Sequence, residues 1–283
     1  MNNSSLFNDA FHRLKKNRAA MFGAFIIISF IVLAIFAPWI APYSYEEQNL
    51  ELGQTTPSLN HLFGTDMFGR DLFSRVLFGA RISLMVGFVA TGIALIIGVT
   101  WGIIAGYFGG RVDSIMMRIV DVLYGLPFII FIVLLTVVFG RSIILLFVAI
   151  GAVEWLTMAR IVRAQVIGLR NQEFVQAAQV MGVSHLKLFT RHIFPNILGP
   201  IAVYATLTIP QIMLLEAFLS FLGLGVQPPN SSWGILIQEG VNNMTVNFWE
   251  LFFPAFTFSL MLFSLNFFGD GLRDALDPKT SDN

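Results

Sequence analysis

Cysteine is absent from all 283 residues, which excludes disulfides, thiolate metal sites and cysteine nucleophiles together. Charge is scarce as well. Asp, Glu, Lys and Arg make up 12% of the chain, against about a quarter in soluble domains, too few to cover a surface facing water on all sides. The formal net charge is zero and no dense basic block occurs, so nucleic acid has no electrostatic footprint here. No Gly-x-x-x-x-Gly-Lys-[Ser/Thr] phosphate loop is present, which leaves the chain without a recognisable way to bind nucleotide. The four histidines, His12, His61, His185 and His192, form no His-Glu-x-x-His and fall outside the predicted membrane spans, so no metal site and no cofactor are expected. Phe267-Phe268-Gly269-Asp270 lacks the first Gly of the Gly-x-Gly-Asp pattern of intramembrane aspartyl proteases. Hydrolytic chemistry is not expected, and no catalytic residue is assigned.

What is present in quantity is apolar. Hydrophobic residues are 56% of the chain, Phe alone occurs 29 times, and the mean hydropathy is +0.74. Runs of about 20 apolar residues are what a helix needs to cross a bilayer. Such runs predict spans over 21–41, 84–106, 115–138, 142–159, 197–219 and 251–269, giving an all-α integral membrane protein with six transmembrane helices. The first run is too long for a signal-peptide core, so it is expected to remain as a helix. With the N-terminus inside, the cytoplasmic segments hold Arg13, Lys15, Lys16, Arg18, Arg111, Arg118, Arg160, Arg163, Arg170, Lys187, Arg191, Arg273 and Lys279. The outside segments hold only Arg70, Arg75, Arg81 and Arg141. That bias predicts that both termini are cytoplasmic.

Three stretches lie outside the apolar runs. Residues 43–80 and 222–250 are expected outside, the latter as an irregular hairpin or a short re-entrant helix. Residues 160–196 form a cytoplasmic loop of mixed polarity. In that loop Phe174, Ala177, Ala178 and Met181 fall at i, i+3, i+4 and i+7, an apolar stripe on a short helix. Gly182 breaks it as a C-terminal cap. Ser184 caps a second short helix carrying Leu186, Phe189 and Ile193, and Pro195 is expected to stop that helix before span five. By pattern alone, a docking element for a cytoplasmic partner and a helix pair lying on lipid headgroups both fit.

Polar residues inside the runs are few. Asp121, three residues after Arg118, predicts a local ion pair, and Glu154, ahead of Arg160, reads as structural in the same way. Glu216 has no basic residue within a turn. An ionisable group at that depth faces a cavity or a partner, with cavity lining the preferred reading. The external Asp66, Arg70, Asp71 and Arg75 read as a salt-bridged turn, with a contact to a partner protein as the sharper alternative.

Gln176-Ala177-Ala178-x-x-x-Gly182 followed by Ile193-Phe194-Pro195 resembles the EAA loop of ABC-importer permeases. That pattern is Glu-Ala-Ala, three residues, Gly, and an Ile–Leu–Pro-type end. Gln176 stands where many members have Glu, and Phe194 at the usual Leu. Four other stretches resemble the C-type permease of oligopeptide and dipeptide importers. They are Phe63-Gly64-Thr65-Asp66 through Gly69-Arg70-Asp71 with Ser74-Arg75; Gly79-Ala80-Arg81-Ile82-Ser83; Ser220-Phe221-Leu222-Gly223-Leu224-Gly225 with Ser232-Trp233-Gly234; and residues 269–278.

The resemblance covers nearly the whole chain and implies a type I ABC-importer permease fold in a bacterial cytoplasmic (inner) membrane. It further implies a second homologous permease subunit, two cytoplasmic ATP-binding subunits and an external peptide-binding protein as partners, besides membrane lipid. ATP hydrolysis would reside on those partners, and the cargo would be short peptides moved by alternating access. Nickel complexes and glutathione are alternative cargoes of related permeases. A proton-coupled secondary transporter would need a buried relay that Glu216 alone does not make. The ATPase-coupling residues would be Glu173, Phe174, Gln176, Ala177, Ala178, Met181, Gly182, Leu186, Phe189 and Pro195, with Glu216 on the translocation path. The implied organisation is 1–80 for the tail, first helix and external segment, 81–273 for the permease domain with its coupling loop at 160–196, and 274–283 for a cytoplasmic tail.

Overall fold

A bilayer offers no partner to backbone polar groups, so an apolar chain of this kind satisfies its N–H and C=O groups within helices. The computed structural model describes residues 3–140 and 142–276. Its order is α1 (Asn3–Lys16), α2 (Arg18–Ile40), α3 (Leu72–Phe108), α4 (Gly110–Tyr124), α5 (Phe128–Phe139), α6 (Ile143–Arg170), α7 (Glu173–Val180), α8 (His185–Leu188), α9 (Phe194–Phe221), α10 (Trp233–Asn243) and α11 (Phe248–Leu276). Among the described residues extended structure is limited to one isolated bridge, Thr65 to Asp71. The expectations for Arg141, Lys279 and the 277–283 part of the tail lie outside the described residues.

Five unbroken helices, 18–40, 72–108, 143–170, 185–221 and 248–276, are long and apolar enough to cross a membrane. The remaining span is different from expectation. Instead of one helix over 115–138, α4 and α5 meet at a bend of 80°. The cause lies in Gly125-Leu126-Pro127. Pro127 has no N–H to donate to the preceding turn, and it disfavours helical geometry at Leu126. α4 therefore caps at Gly125, whose N–H returns to the Asp121 carbonyl, and the chain restarts at Phe128. Mean apolarity over the window hides such a break.

α2 has two unlike faces. Phe22, Phe25, Ile28, Ile35 and Phe36 are all exposed, whereas the inward side is small, with Ala20, Gly23, Ala34 and Ala37 buried. A surface this apolar has no place in water. The inner side packs on α11, where a Cβ added to Gly23 would come within 2.5 Å of the Ser264 carbonyl oxygen.

The tightest contact pairs α3 with α6. Ala90, Ala94, Gly98, Gly102 and Gly106 repeat at every fourth residue of α3 and are all buried. A Cβ on Gly98 would stand 2.6 Å from the Met158 Cβ. One on Gly102 would stand 2.5 Å from the Ala159 carbonyl oxygen, and one on Gly106 2.9 Å from the Arg163 carbonyl oxygen. Without hydration to drive helices together in lipid, backbone approach over small residues supplies the dispersion contact. Trp233 at the head of α10 fixes the outer end. It is fully buried, its indole N–H donates to the Val76 carbonyl, and its backbone N–H donates to Ser83 Oγ. The short helix expected within 222–250 is thus present as α10.

Overpacking at the α3–α6 seam sets a test. Gly102→Val is expected to cost about 1–3 kcal/mol, lowering the melting temperature of the detergent-solubilised chain. Gly92→Ala on the same helix, where nothing lies within 4 Å, is expected to leave it unchanged. Equal melting of the two variants would contradict this account of the seam.

Candidate functional site

The loop ahead of α9 is shorter than the 160–196 expected, because α6 stays helical through Arg170. Glu173 opens α7, and the helix ends at Gly182 with φ +74°. Its termination is a Schellman pair. Val183 N–H donates to the Ala178 carbonyl at 3.1 Å, and Gly182 N–H to the Gln179 carbonyl at 3.0 Å. A Cβ at Gly182 would meet nothing within 4 Å, so backbone conformation rather than space demands glycine there.

The predicted stripe divides in two. Ala178 faces inward beside Val175, both buried, while Phe174, Ala177 and Met181 remain exposed together with Glu173 and Gln176. Met181 is 75% exposed, Val180 89% and Leu186 73%. Leu186 therefore points out, and the buried residue of α8 is Leu188. Phe189 is partly buried and Ile193 fully so. Pro195 does not stop the second helix, contrary to expectation. A π-turn over Phe189–Ile193, closed by Phe194 N–H on the Phe189 carbonyl, absorbs the proline and carries the helix on into α9. Such π-turns relieve the missing donor that would otherwise break the run. The result is an apolar tip of Phe174, Ala177, Val180, Met181 and Leu186 on a fixed mount.

That mount is one cluster. Val175, Ala178, Leu188 and Ile193 pack with Ile103 and Tyr107 of α3 and with Met158, Val162 and Val166 of α6. Polar links reinforce it. The Tyr107 hydroxyl and His185 Nδ1 lie 2.5 Å apart, and Arg170 donates to the Tyr107 carbonyl at 3.1 Å. Arg163 donates from Nε and Nη2 to the two carboxylate oxygens of Asp113 on α4, at 2.5 and 2.6 Å, a bidentate geometry that fixes direction as well as distance. Sequence reasoning missed these partners because 78 and 50 residues separate them.

Two expectations about local charge pairing are corrected. Asp121 pairs not with Arg118 but with Arg160 of α6, at 2.8 Å, and the Arg160 guanidinium also lies 4.3 Å from the Tyr124 ring centre. Arg118, three residues along α4, loses to a partner on the facing helix. Glu154 consequently has no link to Arg160. Glu216 is fully buried within the chain. It accepts from Ser220 Oγ at 2.8 Å and Ser232 Oγ at 2.7 Å. Ser232 caps α10, so Glu216 fastens α10 to α9.

The charges between Asp66 and Arg75 form the expected cluster and extend it. Asp66 accepts from Arg70 Nε at 2.6 Å and Arg75 Nη1 at 2.7 Å, and Arg75 also donates to Glu239 of α10 at 2.6 Å. Asp71 caps α3 through the Ser74 N–H. The turn is therefore a joint between the 43–71 segment and α10. Among the described residues no group of His, Asp and Glu could hold a metal ion.

Comparison with known proteins places this geometry. The model for the inner membrane component of binding-protein-dependent transport systems matches residues 98–282. A model for the N-terminal transmembrane domain of oligopeptide transport permease C matches residues 5–57. The oligopeptide transport system permease protein OppC of Haemophilus influenzae is 49% identical over 97% of this chain and 89% of its own length. The dipeptide transport system permease protein DppC of Bacillus subtilis is 47% identical over 97% and 86%. In structure the chain is similar to the inward-facing MetNI methionine ABC transporter, with a TM-score of 0.59 over 72% of this chain and 96% of that one, at 18% identity. The fold is accordingly that of a type I ABC-importer permease, a multi-pass inner-membrane component implying ATP-binding partners and a second permease. This chain belongs to the binding-protein-dependent transport system inner membrane component family.

Proposed function

We propose that the chain is one half of a peptide pore, passing short peptides across the inner membrane by alternating access, with the loop around Gly182 as the point where ATPase motion enters. The observation that carries this reading is the exposed apolar tip of Phe174, Ala177, Met181 and Leu186 on a buried mount. A helix pair serving only to lie on headgroups has no need of a bidentate ion pair, a Tyr–His contact and a capped glycine turn beneath it. Glu173 and Gln176 flank the tip and offer polar contacts at its rim, while Ala178, Phe189 and Pro195 act through the packing that holds it. Peptide cargo is supported by the relatives' names, since both are peptide permeases. An external peptide-binding protein then delivers the cargo to the side carrying the Asp66–Arg75–Glu239 joint, and lipid covers the Phe-rich outer faces. The permease domain spans 81–273 in this reading, with 1–80 and 274–283 as appendages and both termini cytoplasmic.

Topology is tested first, and the lack of cysteine makes it convenient. A membrane-impermeant thiol reagent applied to intact cells is expected to label Leu59→Cys, whose parent residue is 97% exposed, and to leave Val180→Cys unlabelled. The reverse pattern would put the coupling loop on the wrong side.

Coupling is tested at Gly182. Valine strongly resists a φ of +74°, so Gly182→Val is expected to distort the tip while every membrane span stays intact. Peptide uptake should fall at least tenfold with normal membrane levels, a loss corresponding to about 1.4 kcal/mol of coupling. ATPase subunits should co-purify weakly or hydrolyse ATP without response to the loaded binding protein. Normal uptake with normal co-purification would end the coupling assignment.

A further inference from the structure

A groove opens where the broken span faces α6 and α9. It has a volume of about 330 Å³ and is lined by Leu123, Tyr124, Phe128, Phe131, Glu154 and Leu215 among others, within the size range of small-ligand sites. Its walls are apolar apart from Tyr124, Glu154 and Thr157. Glu154 is partly buried, and its carboxylate has no hydrogen-bond or ion-pair partner among the described residues. The neighbouring cations are engaged elsewhere. Arg160 is held by Asp121 and the Tyr124 ring, and Arg163 by Asp113.

An unpaired carboxylate at membrane depth costs a few kcal/mol and marks a path or a partner. A second feature points the same way. α4 ends at Tyr124, and Leu123, Tyr124 and Leu126 line the groove, so the C-terminal, carbonyl end of that half-helix borders the same space as Glu154. Helix carbonyl ends carry partial negative charge, and broken helices in membrane transporters present such ends to cations. Two negative features on an apolar groove select a cation attached to apolar matter. A divalent metal needs several oxygen ligands, and no cluster of three acidic or His residues exists among the described residues. A primary ammonium needs far fewer contacts.

We propose that Glu154 and the carbonyl end of α4 form a subsite on the translocation path that takes the N-terminal ammonium of a passing peptide. Phe128, Phe131 and Leu215 take the side chain beside it. This rests on the peptide-cargo reading. The subsite must bind weakly enough to release, and one charge-assisted contact in a wet groove does that. The break at Gly125-Leu126-Pro127 is what brings the C-terminal end of α4 to the groove, which gives the 80° bend a role in recognition.

The test uses the complete importer in proteoliposomes with its binding protein. A short peptide carries a benzophenone side chain at its first residue, and a control peptide carries it at the last. The first probe is expected to crosslink to the fragment holding Ala152, Val153 or Leu215. Glu154→Gln should cut that crosslink and the maximal uptake rate about tenfold, the loss expected for one charge-assisted hydrogen bond, while the second permease still co-purifies. Glu154→Asp should keep most of both. An unchanged crosslink in Glu154→Gln would overturn the subsite. So would loss of the second permease from that variant, which would show Glu154 paired across the subunit interface. A parent importer that assembles but takes up no peptide would sink the cargo reading and this inference with it.

Discussion

The rest of the molecule depends on how closely α3 and α6 approach. Glycine at 98, 102 and 106 puts no side chain of α3 in the seam, where Met158, Val162 and Val166 of α6 pack directly on its backbone, so α6 is located against α3 along that half. The features that shape the end of the bundle bearing α7 and α8 are then carried by α6. Val162 and Val166 floor the loop, Arg163 orients α4 through Asp113, and Arg160 holds Asp121 near the break. A bulkier seam would displace all of these together, because they share one rigid element.

That arrangement gives force a short physical route. The tip residues of α7 and α8 sit on a cluster that includes α3 and α6, and α9 continues out of the loop through a π-turn rather than starting afresh. Movement of the tip therefore acts at once on α9 and on the helix bearing Glu154, while Arg160 and Arg163 pass it to the broken span. At the far end of α9, Glu216 ties it to α10, and Arg75 ties α10 to the 43–71 segment through Glu239 and Asp66. Both ends of one helix are thus fastened to elements outside the spans.

Much of this was legible beforehand, for identifiable reasons. Lipid imposes a length and a composition on spans, so the apolar runs located the helices in spite of misjudged ends. Gly182 and the Asp66–Arg75 cluster are local devices, and local chemistry shows in neighbouring residues. The break at Gly125-Leu126-Pro127 was written in the same residues but diluted by the apolar window around it. Pairings such as Tyr107 with His185 or Asp113 with Arg163 leave no mark in spacing. The side of α7 that turns inward could not be read from Phe174, Ala177, Ala178 and Met181 alone, since apolar residues surround that short helix.

The most direct measurement of the central claim follows the tip itself. With Met181→Cys as the sole thiol, maleimide labelling is timed in the isolated chain and in the importer assembled with its ATPase subunits, with Leu59→Cys as the external reference. Burial of the tip in an ATPase groove predicts labelling at position 181 slowed at least tenfold on assembly, with no change at position 59. Equal rates at position 181 in the isolated and assembled protein would contradict the account, for the loop would then stand free of the subunits it is supposed to follow.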